Sequence, residues 1–255
     1  DKVVIVMEEN RAFKRIIGSG AAPYIDSLAA RGALLTQSYA VTHPSQPNYL
    51  ALFSGSTHGV KDNTCPLTLS GDNLGSLLLR VGFGFATYSE SMPAPGFTGC
   101  AAGKYKRKHN PAVNWQGVNI PPQSNLPFTS FPSDLSKLPT LSIVVPNDDN
   151  NMHDGIPPWN ITRADAWLRD NIERYAQWAM KNNGLLVLTF DEDDGSEANR
   201  IATIFVGPMV KPGRYDRRTD HYGVLRTLLD LYGLPAAGLG AAATAEPIID
   251  IWRDT

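Results

Sequence analysis

Apolar residues fall along the chain in two rhythms. The runs 3–7 (Val-Val-Ile-Val-Met), 141–145 and 185–190 (Leu-Leu-Val-Leu-Thr-Phe) are apolar at nearly every position. They are too short for buried helices and have no polar face, which predicts strands covered on both sides, as in a parallel sheet. Residues from Leu34-Leu35 onward, 83–88 and 201–206 predict further strands. Between them the spacing lengthens to three and four. Ile161, Ala164, Leu168, Ile172, Tyr175 and Ala179 form one stripe of the longest predicted helix, with Thr162 as its expected cap and Asp165 at the capping-box position. Shorter helices are predicted over 24–31, from Pro47 to Gly55, over 73–81 and from about 221 to 232. The alternation predicts a single doubly wound α/β domain over 1–255, a three-layer sandwich around a central, mostly parallel sheet. Residues 91–138, rich in Pro, Gly, Asn and Ser, break the rhythm and are expected to wrap the site.

Two of the apolar runs stop on oxygen ligands. The first leads into Glu9-Asn10-Arg11, and residues 185–190 lead straight into Asp191-Glu192. Ligands of open α/β sheets bind in the crevice beyond the carboxyl ends of the strands. Carboxylates and an amide aimed there from about 180 residues apart point to a hard cation or a phosphate, although one acid after a strand usually just begins a solvated loop. A third signal lies at Thr42-His43-Pro44-Ser45-Gln46-Pro47-Asn48-Tyr49, where Ser45 stands two residues before a helix-starting proline. At a helix N-terminus the free N–H groups and the dipole favour a phosphate or an alkoxide, while the bland reading makes Ser45 an N-cap.

Composition narrows the partners. A net charge of −2 and a pI near 6.2 give no global field for nucleic acid or an anionic membrane. No apolar run approaches the roughly 20 residues needed to span a bilayer. The chain opens directly on a strand, so any leader is expected to have been removed or never to have existed. Cys65 and Cys100, 35 residues apart around a Pro/Gly-rich stretch, are expected to pair in an oxidising compartment. The tryptophans at 115, 159, 167, 178 and 252 are read as core or helix packing.

Seven segments, Glu9-Asn10-Arg11, THPSQPNYLALFSGSTHGVKDN, YKRKHNP, NDDNNMHDG, TFDEDDG, IFVGPMVKPG and DHYGVLRTLLDLYGLP, resemble in order the bacterial and fungal phosphoesterase family. That family contains secreted acid phosphatases and phospholipases C and belongs to the alkaline phosphatase superfamily. The resemblance implies an alkaline-phosphatase-like fold and a secreted or cell-envelope phosphoric ester hydrolase. It implies Ser45 as a nucleophile that becomes phosphorylated, and Glu9, Asn10, Asp191 and Glu192 as metal ligands. Asn63, 18 residues after Ser45, matches a phosphate-binding asparagine. His109, His153 and His221 match histidines that hold the phosphate or a second cation.

Four oxygen donors suit one hard divalent ion, Ca²⁺, Mg²⁺ or Mn²⁺, better than zinc. Such an ion on Ser45 would activate its hydroxyl. The basic run Lys104, Lys106, Arg107 and Lys108 is most simply a solvated face, with Lys108 beside His109 available to steer an anionic substrate. His43 and His58 are assigned to loops, with His43 close enough to Ser45 to be an outside candidate, and Asp148-Asp149-Asn150-Asn151 lacks the spacing of an EF-hand. The leading expectation is a phosphomonoesterase acting on a small phosphate ester. A phospholipase C-type diesterase and a noncatalytic phosphate- or cation-binding protein are the alternatives. Histidines with ordinary pKa values, mostly protonated below about pH 6.5, would give an acid-shifted preference for monoesters.

Overall fold

A computed structural model of the chain describes residues 2–253. In chain order the strands are β1 (Val3–Glu8), β2 (Ala33–Tyr39), β3 (Phe85–Ser89), β4 (Ala101–Ala102), β5 (Tyr105–Lys106), β6 (Asn125–Pro127), β7 (Leu141–Val145), β8 (Leu185–Phe190), β9 (Arg200–Val206), β10 (Gly213–Tyr215) and β11 (Thr219–Asp220). The helices are α1 (Phe13–Ile16), α2 (Pro23–Arg31), α3 (Ser45–Ser54), α4 (Leu74–Arg80), α5 (Trp159–Lys181) and α6 (His221–Leu231). The main sheet runs β10-β2-β9-β8-β1-β7-β3-β6, with β11 beside β2. Its middle is parallel, and β9 runs antiparallel to both β2 and β8.

Alternation along β1 divides the core. Val3, Ile5 and Met7 pack with Tyr49, Phe53, Leu78 and Leu225 on the α3, α4 and α6 side. Val4 and Val6 pack with Leu28, Leu168, Ile172 and Tyr175 on the α2 and α5 side. This is the expected three-layer sandwich. The register places Glu8 opposite Phe190, so the residues that leave β1 and β8 emerge side by side. That pairing brings Glu9-Asn10 to Asp191-Glu192 across the long sequence gap.

The start of α5 differs from the expectation. The helix begins at Trp159 after Pro157-Pro158 and has no side-chain cap. Thr162 lies inside its first turn, and its hydroxyl donates to Ala21 O at 3.2 Å. Asp165 instead accepts the N–H groups of Tyr24 (2.9 Å) and Ile25 (2.8 Å), supplying the cap that Ala22 cannot give α2. Two prolines start α5 early, and its acid serves the neighbouring helix.

The 91–138 segment is irregular, and Asn125 ties several of its turns together. The Asn125 side chain accepts from Asn110 Nδ2 (2.7 Å) and donates to Gln116 Oε1 (2.9 Å) and Phe97 O (3.1 Å). The Cys65–Cys100 disulfide fastens its start to the loop after Asn63. Trp115 and Trp167 are buried, but Trp159 is 78% exposed, contrary to its assignment to packing. The prolines before it turn its side chain off the helix–sheet interface, out to solvent.

Candidate active site

Ser45 is the first residue of α3 and is buried at the carboxyl edge of the sheet. Its Oγ lies 3.1 Å from Glu9 Oε2 and 3.0 Å from Glu192 Oε1, positioned to donate to either. Asn10 has a left-handed backbone (φ 51°) that turns the chain sharply at the strand end. Its N–H donates to Asp191 Oδ1 at 2.9 Å, and the Glu192 N–H donates to the same oxygen at 2.7 Å. Glu8 continues the other face of β1 and is buried toward Asp165 and Glu90. Alternation thus gives Glu9 alone to the crevice.

The crevice holds more acid than the protein neutralises. Burial first, then Asp191, holds the Glu9 carboxyl well above the usual range. Burial and Glu192 push Asp191 up to about 7. Burial also raises Glu192, against the lowering effect of His43. Two buried oxygens, Asn10 Oδ1 and Asp191 Oδ2, have no hydrogen-bond partner among the described residues. Buried polar atoms are normally satisfied, so orphaned acceptors among converging acids fit a hard cation, which supplies the missing positive charge.

The expected histidines take three different positions. His109 is buried, with Nε2 3.3 Å from Glu9 Oε1 and Nδ1 3.4 Å from Asp148 Oδ1, and it stacks on Tyr49. Burial, chiefly, lowers it to about 4, so its ring stays neutral through the mildly acidic range where protonation was expected. His153 reaches the crevice rim, with Nε2 3.2 Å from Lys108 Nζ and Nδ1 2.9 Å from Asp154 Oδ1. Glu9, His109 and His153 offer ligand atoms within 4.8 Å of one another, and so do Asp148, His153 and Asp154. His221 opens α6, and its Nε2–H donates to the Asp191 carbonyl at 2.7 Å, so it braces the loop that carries the acids. Asn63 accepts the Gln46 N–H at 3.0 Å and is thereby fixed beside the start of α3.

Three further residues enter the site. His43, read as loop structure, hydrogen-bonds Glu192 Oε2 through Nδ1 and lies 3.3 Å from Asp193 Oδ1 through Nε2. The Tyr49 hydroxyl donates to Glu9 Oε1, and Asp148 holds the far side of His109. Burial would raise Asp148, but its bond to His109 leaves it below its usual value. His43 was accessible to sequence reasoning through its nearness to Ser45. Tyr49 carried only the apolar-face signal of α3, and Asp148 only a broken calcium-loop pattern.

A profile of the Phosphoesterase family matches residues 19–235. The chain is 52% identical to a phosphatidylinositol-3-phosphatase of Mycobacterium tuberculosis over 255 residues, covering 99% of this chain and 83% of that protein. It is 35% identical to an acid phosphatase of Aspergillus fumigatus over 83% of this chain, and spans about half (51%) of that enzyme's length. A Vibrio parahaemolyticus protein of the alkaline phosphatase superfamily superposes with a TM-score of 0.68 at 15% identity, covering 97% of this chain and 70% of its own. The phosphonate monoester hydrolase of Agrobacterium radiobacter gives 0.63 at 15%, covering 99% and 79%. The chain belongs to the phosphoesterase family and has the fold of the alkaline phosphatase superfamily.

Proposed function

We propose that this protein is a secreted, cation-assisted phosphomonoesterase that hydrolyses its substrate through a phosphoserine at Ser45. The observation that carries the reading is the Ser45 hydroxyl at a helix N-terminus, hydrogen-bonded to two crevice carboxylates. Serine is a weak nucleophile unless a base or a metal activates it. Glu192 is the better placed base, because its second oxygen is bonded to half-exposed His43 at the crevice mouth, whereas Glu9 is enclosed by Tyr49 and His109. Glu9, Asn10, Asp191 and Glu192 would hold a calcium, magnesium or manganese ion. When bound, such an ion lowers the hydroxyl pKa and withdraws charge from the phosphoryl oxygens.

The remaining residues have roles consistent with phosphoryl transfer. Asn63, held by the Gln46 N–H, has its Nδ2 hydrogens left to donate to a phosphoryl oxygen. Lys108 and His153 stand together at the rim, where the lysine ammonium meets the dianion and the pair faces the departing oxygen. Ser45 Oγ attacks phosphorus as its proton passes to Glu192, and the ester oxygen leaves and is protonated at the rim. Water then attacks the phosphoserine, returning the proton to Ser45 Oγ and releasing inorganic phosphate. The disulfide and the lack of any helix long and apolar enough to cross a membrane, among the described residues, are compatible with an extracellular setting.

The name of the mycobacterial relative supports a lipid-borne monoester as the substrate class. Two chromogenic substrates test the reading. p-Nitrophenyl phosphate is expected to be turned over after a hard divalent ion is supplied, with p-nitrophenylphosphorylcholine a poor substrate. A diester advantage would replace the reading with a phospholipase C-type enzyme, and inactivity on both would leave a binding protein.

A further inference from the structure

Ile156 and Trp159 are each 78% exposed, more than any other exposed large apolar residue among the described residues. They share one turn, Ile156-Pro157-Pro158-Trp159, closed by the Trp159 N–H donating to Ile156 O at 3.1 Å. The turn is firmly held. Asn160 Nδ2 donates to Met152 O at 2.8 Å, and Arg163 Nη2 donates to Asp154 O at 3.1 Å. Three residues earlier on the same loop, His153 meets Lys108 at the crevice rim. The turn also begins α5, whose N-terminus lies at the carboxyl side of the sheet, so both side chains project beside the crevice mouth. Of the other exposed apolar residues, Val81, Met180 and Leu231 lie at helix C-termini on the opposite side, and Phe83, Val118 and Ile249 lie singly in loops.

We propose that this turn inserts into the headgroup–acyl boundary of a lipid bilayer and sets the crevice over a phosphate monoester carried by a membrane lipid. This rests on the monoesterase reading and names where its substrate sits. A substrate met in bulk water gives no reason to hold an indole and a branched alkyl group rigidly in solvent at the rim. An indole at the membrane boundary keeps its ring in the apolar layer and its N–H in the wet one.

The neighbouring charges suit that surface. The β4–β5 hairpin is tied to the same loop by the Asp148 N–H donating to Lys104 O at 3.1 Å, and it presents Lys106, whose ammonium has only Gly103 O as a partner among the described residues, at 3.2 Å. With a net charge of −2 there is no long-range attraction to an anionic leaflet, so the apolar turn is the main contact and added anionic lipid is a minor aid.

The test compares wild type with the double variant Ile156→Ser, Trp159→Ser on three substrates. These are p-nitrophenyl phosphate, a water-soluble dibutanoyl phosphatidylinositol 3-phosphate, and the long-chain lipid in phosphatidylcholine vesicles. The double variant is expected to keep kcat/KM on both soluble substrates and to lose about tenfold on vesicles. No loss on vesicles would overturn the proposal. So would an equal loss on the dibutanoyl lipid, which would assign the turn to a pocket for one acyl group. Brominated phosphatidylcholine vesicles should quench wild-type fluorescence more than that of Trp159→Phe, which retains the other four tryptophans. Equal quenching with normal turnover of p-nitrophenyl phosphate would sink the anchor and leave the monoesterase standing. Stronger quenching in an enzyme inert to every monoester would sink the monoesterase and support the anchor.

Discussion

Asp165 and Asp191 are both buried acids set against the ends of secondary-structure elements, and they are satisfied in opposite ways. Both oxygens of Asp165 accept backbone N–H groups, from Tyr24 and Ile25. Asp191 directs Oδ1 to two N–H groups, leaves Oδ2 without a partner, and lies among other raised acids. Burial alone does not separate a structural carboxylate from a functional one. The difference is whether its neighbours complete it. An acid whose oxygens are used up in capping a helix has nothing to offer a ligand, whereas one that folding leaves incomplete in a crevice keeps an oxygen free for one.

Substituting each aspartate in turn is the largest test of that contrast. Asp191→Asn retains the Oδ1 acceptor and is expected to lower kcat/KM by roughly 10³-fold, equivalent to about 4 kcal/mol of transition-state stabilisation. Asp165→Asn is expected to leave kcat/KM per folded molecule unchanged and to lower unfolding stability by about 1–3 kcal/mol, since one of two capped N–H groups loses its acceptor. Urea melts beside steady-state kinetics check both. A catalytic loss in Asp165→Asn, or none in Asp191→Asn, breaks the comparison.

The second test concerns the wall that keeps the crevice acids together. Closing the 65–100 loop is worth roughly 3–4 kcal/mol in the chain-entropy account. Cys65→Ser with Cys100→Ser should therefore lose about that much stability, with His109 still held in its short helical turn at 107–109 and with KM rising before kcat falls. Thiol titration of the unreduced, unfolded protein should find no free thiol.

A third prediction follows from proton linkage. The Asp191 carboxyl titrates at about 7 in the cation-free fold, against 3.8 ordinarily. A raised acid contributes its stability below its unfolded value and loses it as pH climbs through the folded one. The chelated protein should thus be less stable at pH 7.5 than at pH 5, by on the order of 2 kcal/mol, and a hard divalent ion should remove most of that slope. Thermal melts across this window, with and without chelator, decide it; a flat chelated profile would detach these acids from the account.

The smallest expected effect separates a residue that resembles a cap from one that is a cap. Thr162→Ala should change stability by less than about 0.5 kcal/mol. Asn73→Ala, which removes the acceptor of the Ser76 N–H at the start of α4, should lose about 1 kcal/mol.

The contrast between Thr162 and Asn73 also marks what was legible in the chain. Strands β1, β7 and β8 were readable because full burial leaves no polar face, and the helix stripes because packing on a sheet demands one. Glu9, Asn10, Asp191, Glu192 and Ser45 were readable because strand ends and helix starts are where a parallel sheet exposes its ligands. The start of α5 was misread because a cap-like pattern says nothing of which helix the acid will serve. Trp159 was misread because its exposure depends on the two prolines before it. Tyr49 and Asp148 act by contact across long separations, which no local pattern records, and His43 was marked only by its nearness to Ser45. The protonation expected of His109 failed because burial lowers it to about 4, and burial at a site between distant elements is a tertiary property.

The central claim is that Ser45 carries the phosphoryl group. Acid quenching of the enzyme during turnover of a ³²P-labelled monoester, followed by peptide mapping, tests it most directly. The account predicts acid-stable label on the peptide containing Ser45, absent from a folded Ser45→Ala variant that has also lost turnover. Label on a histidine after a parallel alkaline quench, or unimpaired turnover by Ser45→Ala, would contradict it.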